Sequence, residues 1–349
     1  MTAHPDGSIY HHPAWLEALE REYGQKGVYF ICEDVSGQVL AILPLLYTKG
    51  LPFGLGRTLT QRRLSSLPRT PVAGPLSLDS RATIAVLQEA VLLASRTPGV
   101  QLQIKRQTDD LDGLIDGVVS EPWRLSYVLE LQGGAPGPFR VSNSHSRASI
   151  KWAINKAARL GVCARPAETE AELHTWYGLY LETMRRNVVP PRSYRFFLAL
   201  WQLLKPRGIM QLMLAEQKTT VGRRIIAGSI FFRFGRTVSY AFNGSGLRDF
   251  PLRPNDMIQW EAINEARASG YRYFDFGEVP EGHDELAKFK SKWGAEPVRM
   301  HRYYYPGIPR PAGGPRESRS YADSLTNALW PRLPLAVASW LGDKIYSYL

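Results

Sequence analysis

Three lysines, Lys288, Lys290 and Lys292, fall within the run KFKSKWG, interleaved with Phe289 and followed by Trp293. An ammonium held in aromatic packing has the charge to stabilise the oxyanion or leaving group that develops when an amine attacks an ester or thioester. Any of the three reads equally well as a solvated side chain. Asp275, at the end of the strand-like run YRYFDFGE, is placed to accept a proton from an attacking amine or to hold it as an ammonium. It reads equally as a cap on the next turn. Tyr240 and Asn243 lie on the strand-like run TVSYAFNGS, where an aromatic is as often core as it is cleft lining.

A second chemical signal is a stretch without acids. Between Glu130 and Glu168 the chain carries Arg140, Arg147, Lys151, Lys156, Arg159 and Arg165 and no Asp or Glu. A helix opened by Ser142 or Ser144 brings Arg147, Lys151, Asn155 and Arg159 to one face and turns Ile150, Ile154 and Ala157 inward. Such a stripe of cations suits phosphates; a plain solvated face is the equal alternative. Other chemistries find no signature. The seven histidines lack metal-ligand spacing, no G-x-S-x-G elbow occurs, and the glycines of GLPFGLGR form neither a P-loop nor a dinucleotide fingerprint.

These residues need a scaffold. In the first half, His12–Tyr23 carries helical spacing, VYFICE and QVLAILPLLY read as a hairpin around Asp34–Gly37, Arg81–Arg96 reads as a helix, and VQLQIK as a strand. The second half repeats the order: a helix over Ser193–Leu204, a hairpin of IMQLMLAE and IIAGSIFFRF, the strand TVSYAFNGS, a helix over Asn255–Ala268, and YRYFDFGE. Two copies of one mixed α/β (α+β) unit are expected. They divide at the Gly/Pro-rich run Gly133–Pro138, giving domains over 1–135 and 136–306, the second with the probable active cleft, and a Pro/Gly linker with helical tail over 307–349. In that tail Val337, Trp340, Leu341, Ile345 and Tyr348 form an apolar stripe, expected to pack on the body or to dock on a membrane surface.

With 44% hydrophobic and 21% charged residues among 349, the chain reads as globular. A net charge of +11 fits an anionic partner such as nucleic acid, a phosphorylated metabolite or an acidic membrane, or simple solubility. Two widely separated cysteines and the absence of a signal-like N-terminus lead to the expectation of a cytoplasmic protein, with any membrane contact peripheral.

The strings RRNVVPPRSYRFFLAL, RPNDMIQWEAINEARASGYRYFDFGE and LAKFKSKWGAEPV, with the helix around Arg147 and the early segments HPAWLEAL and SSLPRTPVAGPL, resemble the Fem family and its BioF2-like relatives in the GNAT superfamily. That resemblance implies tandem GNAT-like domains and transfer of an amino acid from aminoacyl-tRNA to an amine of a peptidoglycan precursor, with no metal and no tightly bound cofactor. It implies a catalytic lysine in an F-K motif, which falls on Lys290 beside Phe289; Asp275 joins it as a catalytic candidate on its own chemistry. The accompanying binding set is Arg147, Lys151, Arg185, Arg186, Tyr240, Asn243, Asn255, Trp260 and Trp293. The simple GNAT signature R/Q-x-x-G-x-G/A is missing before the helix at RPNDMIQWEAI. Two alternatives therefore stand beside aminoacyl transfer: acyl-CoA- or acyl-carrier-dependent acylation of an amino sugar or polysaccharide precursor, and a binding module of the same fold without catalysis.

Overall fold

The computed structural model describes residues 4, 6–24, 26–50, 62–131, 143–308, 329–346 and 348. Its principal elements run in the order α1 (Pro13–Tyr23), β1 (Gly27–Glu33), β2 (Val39–Thr48), β3 (Arg62–Ser65), β4 (Leu76–Ser77), α2 (Ser80–Arg96), β5 (Val100–Arg106), β6 (Val119–Glu130) and α3 (Ser144–Arg159). They continue with β7 (Val162–Pro166), α4 (Glu170–Arg186), α5 (Tyr194–Leu204), β8 (Met210–Thr219), β9 (Gly222–Phe234), β10 (Thr237–Ser245) and α6 (Pro254–Ala268). The last are β11 (Tyr273–Val279), α7 (Asp284–Ser291), β12 (Glu296–Tyr305) and α8 (Leu335–Tyr346). Two compact units result: Met1–Leu125 with Arg299–Tyr321 and Lys344–Leu349, and Ser126–Val298 with Ala322–Asp343. These units are discontinuous in sequence, unlike the linear division at 135 and 306, and the Gly133–Pro138 run lies outside the described residues.

In the first unit the strands lie in the order β1-β2-β3-β5-β12. The hairpin turn forms where Asp34 Oδ1 accepts the Ser36 and Gln38 amides at 2.8 and 2.9 Å, and Gly37 takes the left-handed φ of 81° that a side chain would resist. Helix α2 starts on Asp79, whose Oδ1 accepts the Ala82 amide at 2.8 Å. Its buried Ala82, Val86, Leu87, Ala90 and Ala94 meet Val100, Leu102 and Ile104 of β5 in one core. The alternate β5 residues Gln101, Gln103 and Lys105 are also buried, and each donates to a polar partner: Gln101 to the Gly307 carbonyl at 2.9 Å, Gln103 to Tyr304 Oη at 3.3 Å and Lys105 to the Leu67 carbonyl at 2.6 Å.

The second unit orders its strands β6-β11-β10-β9-β8-β7. Its connectivity repeats that of the first. Strand β2 pairs antiparallel with β3, which pairs parallel with β5 after α2 crosses over. Strand β9 pairs antiparallel with β10, which pairs parallel with β11 after α6 crosses over. The repeated order of elements in the sequence is thus a repeated topology. Each sheet is completed by a strand from the other half of the chain: β6 lies beside β11, and β12 beside β5.

Helix α4 has no counterpart in the expected element list. A capping box of Thr169 and Glu172 opens it, and Leu173, Trp176, Tyr177, Tyr180 and Leu181 line its buried side. Trp176 meets Phe197 of α5 edge to face at 5.0 Å and stacks on Tyr180 at 5.4 Å. Its indole N–H donates to the Gly228 carbonyl at 2.8 Å. A Cβ on Gly228 would sit 2.5 Å from the indole Cδ1, so glycine is required for β9 to come this close.

Helix α8 does not pack the whole tail stripe on the body. Val337, Trp340 and Tyr348 are exposed, Leu341 and Ile345 half-buried, and the covered side is instead Ala338, Gly342 and Tyr346. The reason is close approach: a Cβ on Gly342 would collide with the Pro191 carbonyl, so the small residues must face inward.

Candidate active site

Strands β10 and β11 pair only from Thr237–Ser239 to Tyr273–Asp275, although both continue further. The residues of interest collect where that ladder ends. A bulge in β10 between Tyr240 and Phe242 sets Tyr240 opposite Phe231 and Asn243 opposite Ser229. Three positions apart, Tyr240 and Asn243 would face opposite ways in a regular strand; the extra residue brings both to one face. Ser229 joins them, donating to Asn243 Oδ1 at 3.1 Å and hydrogen-bonding the Tyr240 phenol. Burial pushes the Tyr240 phenol pKa upward, so it stays protonated. Phe231, Phe274 and Phe276 supply the apolar surround.

At the last pair of the ladder, Asp275 Oδ1 accepts the Gly277 amide at 2.8 Å and the Ser126 hydroxyl at 2.9 Å. Burial raises the pKa of its carboxyl; these two bonds and the nearby Lys290 charge pull the other way. Gly277 has φ of 75°, which lets the chain turn so that its N–H meets Asp275 and its carbonyl meets Lys290. Lys290, on α7, is only 3% exposed. Its ammonium donates to the carbonyls of Gly277 at 2.8 Å and Glu278 at 2.9 Å. Burial brings its pKa down to about 8, against the charges of Asp275 and Glu278. A largely buried cation anchored by backbone carbonyls and near enough to feel the Asp275 charge is a perturbed arrangement, and perturbed groups cluster at functional sites.

The aromatic cradle belongs to another lysine. Phe289 and Trp293 meet edge to face at 6.5 Å, and the ammonium 4.4 Å from the first ring and 5.3 Å from the second is that of Lys292. Lys292 pairs with the buried Asp256 in the first turn of α6. The expectation that Phe289 and Trp293 hold Lys290 is therefore corrected: at the end of α7 residues 289, 292 and 293 share a face, and Lys290 points away from it. Trp293 is fully buried and Phe289 half-buried.

The remaining expected binding residues are dispersed. Arg147, Lys151, Asn155 and Arg159 do share an exposed face of α3, which starts on Asn143 through a 2.8 Å bond from the Ser146 amide rather than on a serine cap. Its buried side is Ile150, Ala153 and Ala157, with Ile154 half-buried. Arg185 donates to the Leu333 carbonyl at 3.0 Å and so anchors the C-terminal segment. Arg186 reaches the Ser245 carbonyl at 3.4 Å and covers the Phe250 ring at 4.9 Å. Asn255 and Trp260 are half-buried on α6, and Asn255 Oδ1 has no hydrogen-bond partner among the described residues. Sequence reading missed Ser126 and Ser229. The serine on β6 lies 149 residues from the carboxylate it serves, beyond any local pattern.

Residues 144–291 match the family described as the Acetyltransferase (GNAT) domain. No curated protein matches the chain. Among solved structures, FemX superposes with a TM-score of 0.66 at 15% identity, covering 87% of this chain and 93% of its own. The L-PGS of Bacillus licheniformis gives 0.55 at 15% identity, covering 92% and 96%. The C-terminal domain of a putative lysylphosphatidylglycerol synthetase from Agrobacterium fabrum gives 0.56 at 14% identity, covering 89% and 90%. The α/β architecture, the repeated topology and these matches identify residues 144–291 as a GNAT-type domain within a chain that has the FemX fold.

Proposed function

We propose that the chain is an N-acyltransferase that moves an aminoacyl or acyl group onto an amine of a cell-envelope precursor. The observation that carries this reading is the Asp275–Lys290 pair at the point where β10 and β11 part. The carboxylate accepts the proton released by the attacking amine. The ammonium, with two N–H groups held by carbonyls, directs its third toward the oxygen on which charge develops. Tyr240 and Asn243 line the same end of the sheet and orient the substrate.

The choice of donor turns on α6. A coenzyme A pyrophosphate needs free backbone N–H groups and positive potential at a helix N-terminus. Here the first position is Pro254, which has no N–H. That disfavours a pyrophosphate and supports an aminoacyl ester donor. Incubation with aminoacyl-tRNA or acyl-CoA and an amine-bearing envelope precursor, read by mass spectrometry of the acceptor, tests the reading. Acylation from acyl-CoA alone would select the amino-sugar alternative, and acylation from neither donor would select the binding module.

Two further outcomes are expected. The Lys290 charge is present below about pH 8 and is lost as pH rises through that value, so kcat/KM should decline above it. Lys290→Arg, which stays protonated, should remove that decline; a decline that persists in the variant assigns it to another group. The doubly reversed variant Arg147→Glu/Lys151→Glu should bind a phosphorylated substrate roughly tenfold more weakly, with a shallower salt dependence. Unchanged binding would return that face of α3 to solvated surface.

A further inference from the structure

Helix α8 turns Val337 and Trp340 outward and Ala338, Gly342 and Tyr346 inward. On the second unit its anchors are polar or small: Ser339 with Tyr177 Oη at 3.1 Å, Gly342 against Pro191, and Asp343 with Arg195 at 2.7 Å. Trp340 stands 60% exposed, Val337 40% and Leu329 59%. Arg332 precedes the helix and Lys344 lies in its last turn, both exposed. Asp343 is the one acid among residues 329–346, and Arg195 neutralises it. An exposed tryptophan on an amphipathic helix flanked by cations is poorly suited to water and well suited to the boundary between lipid headgroups and acyl chains.

The surroundings extend the same pattern. Arg185 holds the Leu333 carbonyl just before α8, and its neighbour Arg186 lies over Phe250. Phe250 and Leu247 are themselves exposed, and Asp249 between them is buried and doubly bonded to Arg224. Exposed apolar side chains therefore share one end of the second unit with cations, while the acids named there are neutralised. No helix among the described residues is long and apolar enough to cross a membrane, so such a surface acts by lying on one.

We infer that this end of the second unit docks on an anionic lipid bilayer, with Val337 and Trp340 entering the interface and the net positive charge of the chain favouring lipid phosphates. Charge decides between this occupant and a second copy of the chain. At a net charge of +11 two copies meeting through cation-flanked faces repel, whereas an anionic surface attracts. The inference does not rest on the acyl-transfer reading, and its test uses no activity.

The full chain is sedimented with vesicles containing roughly a third phosphatidylglycerol, and separately with pure phosphatidylcholine vesicles. Binding is expected on the first and not the second, and it should weaken as salt is raised. Trp340→Glu should reduce the bound fraction by about tenfold with an unchanged melting temperature, since the side chain touches solvent in the folded chain. Equal sedimentation of the variant, or none of the parent, overturns the proposal. A parent that stays off vesicles and forms dimers in light scattering, while Trp340→Glu is monomeric, would assign the face to self-association instead.

Discussion

Lys290→Met should lower turnover by about 10²- to 10³-fold, the scale for losing one preorganised donor to a developing oxyanion, while substrate affinity changes little. Methionine retains most of the stem and removes the charge. The substitution also strips the donor from the carbonyls of Gly277 and Glu278 and removes the cation facing Asp275. Leaving such groups unpaired costs about 1–3 kcal/mol, so melting temperature must be followed beside rate. A variant that is folded and slow supports the assignment. One that turns over at the parent rate removes it and moves the chemistry to Asp275 or to the acceptor alone. Lys288, exposed and paired only with Glu285, is the proper control; Lys292 is unsuitable because its change would strand the buried Asp256.

Trp176→Ala should destabilise the chain by about 3–5 kcal/mol, the range for emptying a buried tryptophan site. The side chain is fully buried, packs on Tyr180 and Phe197, and gives its N–H to Gly228. Gly228 precedes Ser229, the residue that joins Tyr240 to Asn243, so loss of this packing loosens the strand beneath the site. Trp176→Phe keeps much of the ring and forfeits the hydrogen bond, at about 1 kcal/mol for the bond itself. Denaturant titration of the two variants separates packing from bonding. Near-parent stability of the alanine variant would contradict the central role given to this cluster.

What the sequence revealed follows the strength of local patterning. The hairpins, α2, α5 and α6 announce themselves by period and by their turn residues, as Asp79 and Ser193 do by capping. Helix α4 carries a clean apolar spacing, but the denser aromatic run of α5 that follows it is the stronger local signal. Lys290 was found by resemblance. Its environment was not legible, because which of three alternating lysines faces inward depends on where α7 begins. The partners of Asp275 and the bulge at Tyr240 arise from pairing between distant strands, which no window of sequence contains. For the α8 stripe, apolar spacing leaves packing on the body and docking on a membrane both open; the close approach of Gly342 to Pro191 that fixes the covered side is a tertiary contact that spacing does not contain.

The exchange of closing strands bears on how the protein can be divided. A fragment ending after β6 would contain β5 without the neighbour β12, and one beginning at α3 would contain β11 without β6. Each would present an unsatisfied edge of backbone N–H and C=O groups, the template on which β-sheets recruit foreign strands. The two halves repeat one topology, but reciprocal donation of strands makes each the other's chaperone. A truncation intended to isolate either half should therefore aggregate, and mixing both fragments is the route by which each would recover its missing edge.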